Sequence, residues 1–520
     1  MAKYKKIRIY SKRKPFRPST GFRIFMKKFS RFSVIFLCFG VFFFQVGLAP
    51  VASAISISRE EEMAKEFLKT VFEKVKLVED PMVLDYVNHV GDRIVSSLSS
   101  QVFSYHFYVI QEDVYNAFAS PAGHIFVNSG LLAAMEDEEE LAGILAHEIA
   151  HVLCRHISQR IERSKKIGYA TLAGLIASVL VGAGGSSSAG SALGVGSMAA
   201  GQSLALAFSR EDEIQADQLG MECLRKAGYT GAGLLSVLGK IRSKQWFGTQ
   251  QIPTYLMTHP AVEDRMAYVG AWLDRNPLSM TPAEPYVFDR VRARVLGRYT
   301  DEATALKWFE NELQDHPDHP ALWYGYGLAL ARAGERPRAI DALKRGLERK
   351  AFDPYLLQGL GELYFLNGRY ADALSLLEGA AGIGSQDPDT MFYLGRTFLE
   401  LGKIDQAAEA FETLVQTYPR YDRAFYFLGE SYGRKGDMPL AHYFLGQHYH
   451  QQKSFQTALF HLKKAAESLQ DPEKKAEAGK LIREIEKLKR SSERDSDGPV
   501  IRRPPLAEEF IFDQSGRTAW

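Results

Sequence analysis

Two histidines four residues apart, His147 and His151, bracket a glutamate at 148 in the stretch His147-Glu148-Ile149-Ala150-His151. On a helix, residues four apart stand one above the other, so both imidazoles can grip a single metal ion, and neutral imidazole suits zinc. Glu148 projects about 100° around from His147. It can reach a water activated by that metal without itself being a ligand, taking a proton from it and returning the proton to a leaving amine. This is the HExxH arrangement of zinc proteases, a short pattern that needs a third ligand from elsewhere. A second cluster, Ser209-Arg210-Glu211-Asp212-Glu213-Ile214-Gln215-Ala216-Asp217, can supply it. Glu213 and Asp217 share a helix face; Glu213 can complete the ligand set, and Asp217 can accept the free ring N–H of a ligand histidine. Glu211 is a competing ligand, and an acidic helix start alone would produce the same residues.

The elements that position these groups follow from the flanks. Glu138-Glu139-Glu140 enriches a first helical turn in acid, and Leu141, Ile144, Leu145, Ile149, Val152 and Leu153 give a broad apolar face. Ala146 and Ala150 are small, leaving room for substrate beside the metal. Residues 58–100 read as helices, Phe103–Ile110 as an alternating strand, Pro121-Ala122-Gly123 as a turn, and His124–Asn128 as a second strand. An edge strand ahead of a metal helix can hold an extended peptide by main-chain hydrogen bonds, and His124–Val127 is the expected edge. His156 falls about 140° from His151 on a continuous helix, a supporting or surface position. Cys154 is a weak candidate ligand, and pairing of Cys154 with Cys223 stays open.

These pieces together resemble the Ste-type and HtpX-type zinc metalloproteases over about residues 60–270. The match adds Asn116-Ala117-Phe118-Ala119 upstream and Thr258-His259-Pro260 with Arg265 downstream. The resemblance implies one Zn2+ per chain on His147, His151 and Glu213, Glu148 as catalytic base, and Asp217 in support. It places His259 near the metal, either stabilising the oxyanion or occupying the open zinc position, where it would inhibit.

Composition and repeats set the wider plan. Of 64 Lys/Arg and 62 Asp/Glu, residues 1–54 hold twelve basic and no acidic groups, so the remainder carries a formal −10 and gives no support to a nucleic-acid role. The basic leader, the apolar run Phe32–Leu48 and Ala52-Ser53-Ala54 read as an export signal over 1–54, with a retained anchor as the alternative. Residues 167–205 are apolar and then Gly/Ser-rich, a hairpin or loop able to touch a membrane or an unfolded client. Gly327, Gly361, Gly395 and Gly429 recur every 34 residues, each followed twelve residues on by Ala339, Ala373, Ala407 or Ala441. That is the tetratricopeptide period, expected over 286–488 with an irregular unit at Gly446, and it offers a protein-docking surface. The tail 489–520 reads as disordered.

The expected fold is mainly α: a zincin-like α+β protease domain over 55–275, then an α-solenoid. The family's secreted, repeat-bearing branch implies a periplasmic endopeptidase that acts on misfolded or stalled outer-membrane proteins, with the β-barrel assembly machinery as partner. An assembly chaperone with little or no proteolysis is the alternative.

Overall fold

The computed structural model describes residues 55–163, 207–247, 254–277, 285–383 and 387–496. The expected signal, the whole of the 167–205 hairpin and residues 497–520 of the tail lie outside the described residues. Among the described residues no helix is long and apolar enough to cross a membrane.

The segment 58–100 forms two helices, α1 (Ile57–Lys74) and α2 (Pro81–Val95). Three short strands follow: β1 (His106–Ile110), β2 (Ala117–Ala119) and β3 (His124–Asn128). Asn116–Ala119, not expected to be a strand, supplies β2. The turn at 121–123 reverses the chain with left-handed φ at Ala122 (60°) and Gly123 (89°). Sheet order is β1-β3-β2, with β3 parallel to β1 and antiparallel to β2. His124–Val127 is therefore the centre of the sheet, bonded on both sides, and cannot accept a substrate strand. Among the described residues no further strand pairs with β2, which forms the edge on the antiparallel side; Tyr255 N bonds Tyr115 O just ahead of it. Asn116 O and Ser120 N bond β3, so alternation turns the main-chain groups of Ala117 and Ala119 outward.

After α3 (Ser129–Ala134) comes α4 (Glu138–Leu153), which carries the HExxH stretch; every residue from Glu140 to Val152 is buried. Asp137 caps it by accepting from Glu140 N at 2.9 Å. The acidic first turn also serves another helix. Glu139 accepts from Thr230 N (2.8 Å) and Gly231 N (3.2 Å), just ahead of α7 (Ala232–Phe247). Close approach needs glycine here: a Cβ at Gly143 would stand 2.6 Å from Leu234 N.

A second short helix, α5 (His156–Arg163), follows α4, and α6 (Arg210–Ala227) lies flat on α4. A capping box of Ser209 and Asp212 opens α6, and left-handed Gly228 (φ 81°) closes it. A Cβ at Gly220 of α6 would meet Ala146 O at 3.3 Å. It is Gly220 that is small so that α6 can approach the α4 main chain, and Ala146 itself is fully buried. α8 (Thr254–Thr258) and α9 (Val262–Arg275) complete this part.

From α10 (Pro285–Tyr299) the chain is a series of helical hairpins: α11 (Glu302–Asp315), α12 (Pro320–Arg332), α13 (Arg336–Arg349), α14 (Pro354–Leu366), α15 (Tyr370–Gly382), α16 (Pro388–Glu400), α17 (Ile404–Thr417), α18 (Asp422–Lys435), α19 (Met438–Gln451), α20 (Phe455–Ser468) and α21 (Pro472–Ser496). The repeat has a packing cause. At Gly327, Gly361, Gly395 and Gly429 the space a Cβ would need is filled by the side chain sixteen residues on: Leu343, Leu377, Phe411 and Leu445. Gly446 meets Leu462 in the same way, so α19 closes one hairpin and opens the next. That double use accounts for the irregular 17-residue offset.

The repeats are tied to the protease part by a buried ionic junction on α10. Arg294, 1% exposed, donates to Asp80 Oδ2 (2.5 Å), Tyr324 OH (2.7 Å) and Asp389 Oδ2 (3.2 Å). Arg298 adds a bond to Asp389 Oδ2 at 2.9 Å. A cavity of about 550 Å3 remains between α2, α10 and the repeats, lined by Asp85, Tyr86, Arg290, Tyr355, Asp387 and Tyr418 among others. None of the HExxH residues lines it.

Candidate metal centre

α4 and α6 cross at His147, and that crossing brings the two sequence clusters together. His147, His151, Glu213 and His259, all buried, each offer a ligand atom, and these atoms lie within 4.8 Å of one another. His151 Nε2 is 3.0 Å from His147 Nε2; His259 Nδ1 is 3.0 Å from Glu213 Oε1 and 3.3 Å from His147 Nε2. Glu211 is exposed and Cys154 caps the end of α4; neither belongs to the group. Cys154 and Cys223 are both free thiols, and burial pushes both thiols up.

Asp217 Oδ1 lies 2.9 Å from His147 Nδ1, where it accepts that ring's N–H and leaves Nε2 for an ion or a second proton. Asp217 is itself clamped by Arg265, which donates through Nε (2.9 Å) and Nη2 (2.8 Å), while Arg265 Nη1 reaches Glu213 Oε2 at 2.9 Å. Burial raises the Asp217 carboxyl, but Arg265 and then His147 outweigh it and bring it to about 2. Burial and Arg265 pull His147 down, yet Asp217 and Glu213 lift it to about 9. Burial and the neighbouring His147 hold His151 well below its ordinary range.

The donor set fits a divalent cation. Glu148, Glu213 and Asp217 against one guanidinium leave a formal −2 in a water-excluded site, which two positive charges would neutralise. A proton on His147 and a metal ion are alternative ways to balance the same carboxylates. Glu148 is fully buried, and neither of its oxygens has a hydrogen-bond partner among the described residues; nor does His259 Nε2, 3.6 Å from Glu148 Oε1. Buried, unpartnered polar atoms at the rim of such a cluster mark a place built to receive something polar.

Sequence reasoning named Arg265 only as part of a motif, left His156 as a supporting or surface residue, and missed two neighbours, Tyr255 and Phe208. Tyr255, buried one turn before His259, stacks on its ring (4.4 Å, 19°), and Arg265 Nη1 lies 3.4 Å from its hydroxyl. Phe208 lies against His151 at 4.1 Å, its ring tilted by 35°, and bonds Thr258 O through its main-chain N–H, tying the start of α6 to the His259 loop. His156 touches His151 directly, Nδ1 to Nδ1 at 3.0 Å. The signals available for the two were an aromatic at i−4 from His259 and an aromatic ahead of the capping box.

Residues 83–273 match the Peptidase family M48 profile, and Tetratricopeptide repeat profiles match 292–354, 333–388 and 364–420. The chain is 27% identical over 369 residues to the Beta-barrel assembly-enhancing protease of Escherichia coli (strain K12), covering 68% of this chain and 73% of that protein. It is 25% identical to the protein of the same name from Yersinia pestis, covering 74% and 79%. The Mitochondrial metalloendopeptidase OMA1 of Schizosaccharomyces pombe is 23% identical, covering 45% of this chain and 66% of that one. Residues 83–273 are therefore a Peptidase family M48 domain, a metalloprotease domain, with tetratricopeptide repeats following it.

Proposed function

We propose that the protein is a zinc endopeptidase holding one Zn2+ on His147, His151 and Glu213, with Glu148 as the general base and Asp217 orienting His147. The observation that carries this reading is the convergence of donor atoms beside a buried carboxylate whose oxygens have no other partner. When bound, the ion polarises the scissile carbonyl and makes water a stronger acid. Glu148 then accepts the proton of the attacking water and delivers it to the departing amine. His259 has two faces in this arrangement: Nδ1 completes a four-donor set, and Nε2 looks toward Glu148. A set with four protein donors is closed, so His259 holds the site at rest and withdraws for turnover.

The outward main-chain groups of Ala119, the half-buried end of β2, give an extended substrate a place to pair, adjacent to α4. Such pairing places few demands on side chains, which suits unfolded clients. The relatives' name, Beta-barrel assembly-enhancing protease, supports a part in β-barrel assembly; the clients proposed are misfolded or stalled outer-membrane proteins, the partner of the repeats the β-barrel assembly machinery, and the location the periplasm. The domain limits proposed are 55–275 for the protease and 286–488 for the repeats, with 1–54 as signal and 489–520 as tail.

Zinc content and casein cleavage on the same purified samples test the assignment. One zinc per chain, lost with activity in His147→Ala and Glu213→Ala, is the expected result. Glu148→Gln keeps zinc and loses cleavage. Cleavage that survives Glu148→Gln refutes the mechanism.

A further inference from the structure

The two ligand histidines are oriented differently. His147 gives its Nδ1–H to a carboxylate, Asp217, at 2.9 Å. His151 has no carboxylate on its Nδ1 side. There it meets His156 Nδ1 at 3.0 Å, and the far nitrogen of that ring, Nε2, meets Gln215 Oε1 at 3.0 Å. His156 is 1% exposed, whereas Gln215 reaches in from the exposed side of α6. Asp212 Oδ1 is the nearest carboxylate to His156 Nε2, at 3.9 Å, beyond hydrogen-bond range.

We infer that Gln215 and His156 form a two-step relay that sets the tautomer of His151 and presents its Nε2 lone pair to the metal. This inference rests on the metal-site reading above. An amide oxygen can only accept, so His156 Nε2 carries the hydrogen. In a neutral ring Nδ1 is then an acceptor, and the hydrogen between the two imidazoles belongs to His151 Nδ1. His151 Nε2 is left bare and faces His147 Nε2 at 3.0 Å, the nitrogen that an ion would share in place of a proton. Reversed, the relay would put the hydrogen on His151 Nε2 and block coordination. His156 and Gln215 are thus positioning residues for the metal ligand.

The local chain is shaped for this contact. α4 stops at Leu153, Arg155 takes a left-handed φ of 54°, and α5 begins at His156. The break swings His156 back toward His151. On α6, Gln215 and Asp217 are two residues apart, about 200° around the helix, and each serves one ligand histidine. One receives a carboxylate, the stronger acceptor; the other a neutral ring backed by an amide. Outer partners of metal-bound histidines are worth 10- to 100-fold in affinity. The relay therefore makes His151 the weaker of the two histidine ligands.

The test is zinc transfer from the loaded protein to a chromogenic chelator, with 15N-edited histidine spectra reading the tautomer of His151. Gln215→Glu can only accept and should slow zinc release. Gln215→Leu cannot accept and should speed it, up to about 10-fold. His156→Phe should speed it about 10- to 100-fold. Melting of the chelated variants separates a folding defect at the buried position 156, and the exposed position 215 supplies the ordering Glu, Gln, Leu that a merely structural role would not produce. In the parent, His151 should carry its hydrogen on Nδ1 and coordinate through Nε2. Zinc uptake through His151 Nδ1, or equal release from all the Gln215 proteins, overturns the relay alone. A parent that takes up no zinc overturns the metal-site reading and the relay with it.

Discussion

Arg265→Gln removes a charge from the metal centre while keeping a side chain that can donate hydrogen bonds. In the parent, Arg265 is 1% exposed and spans both Asp217 and Glu213, each fully buried. Stripping one partner from a buried ionic set costs about 3–5 kcal/mol, since the orphaned charge remains out of water. The metal-free protein should lose about 3 kcal/mol, the lower end, because a proton on His147 supplies one compensating charge. The size agrees with Asp217: a carboxyl held at about 2 instead of its usual 3.8 is worth about 2 kcal/mol at neutral pH. Asp217 is depressed, so its stabilisation is full above pH 4 and fades as pH falls toward 2; the variant should show a shallower loss across that window. Urea unfolding of EDTA-treated protein, followed by tryptophan fluorescence and repeated with zinc, measures the difference. Zinc should narrow the gap, as the ion restores the missing positive charge. Equal midpoints for parent and variant in EDTA would refute the view that Arg265 balances these carboxylates.

Gly143→Ala should destabilise by about 1–3 kcal/mol in denaturant titration, because its Cβ would stand 2.6 Å from backbone N and 2.8 Å from Cα of Leu234, atoms that cannot rotate aside. Gly239→Ala, whose nearest foreign atom is 3.7 Å away, is the control and should gain up to about 1 kcal/mol from helix propensity. At the ionic junction, burial and the nearby carboxylates Asp389 and Asp80 raise Asp387 to about 6 against the pull of Arg294. A raised carboxyl costs stability as pH climbs from about 4 through 6, so Asp387→Asn, which still caps α16, should stabilise at pH 8 by on the order of 1–3 kcal/mol and by little at pH 4. Equal melting differences at both pH values would contradict that. Ala119→Pro removes an outward N–H from β2 without touching its bonds to β3; peptide cleavage should fall through a higher KM while zinc content holds. Unchanged KM would exclude β2 as the substrate strand.

What the sequence made legible was whatever depends on local spacing. His147 and His151 follow from one helical turn, the repeat from a 34-residue period, and Glu213 with Asp217 from the same rule applied to a second helix. Strand order does not follow from spacing. β3 reads as a strand, but its place between β1 and β2 depends on pairing across the chain, and the edge was therefore assigned to the wrong strand. His156 was left between a supporting and a surface position for a related reason. A helix extrapolated past Leu153 points it away from His151, and the break at Arg155 has no marker such as glycine or proline. Arg265 was visible only as a motif letter, because a buried arginine gains meaning from the two carboxylates it meets 48 and 52 residues upstream.

The α10 junction bears on how the chain assembles itself. Solenoid hairpins ordinarily form from near neighbours, and each here can close on the residue sixteen positions ahead. Arg294, however, needs Asp80, 214 residues earlier, and Asp389, 95 residues later. That raises the contact order of a fold otherwise made of local pieces, and loop closure of this length slows a final step. During synthesis the protease half emerges first, with Asp80 waiting for α10 and then α16 to leave the ribosome. Cutting the chain between α9 and α10 would make two fragments that look like domains in sequence, each missing counter-charges that only the other carries.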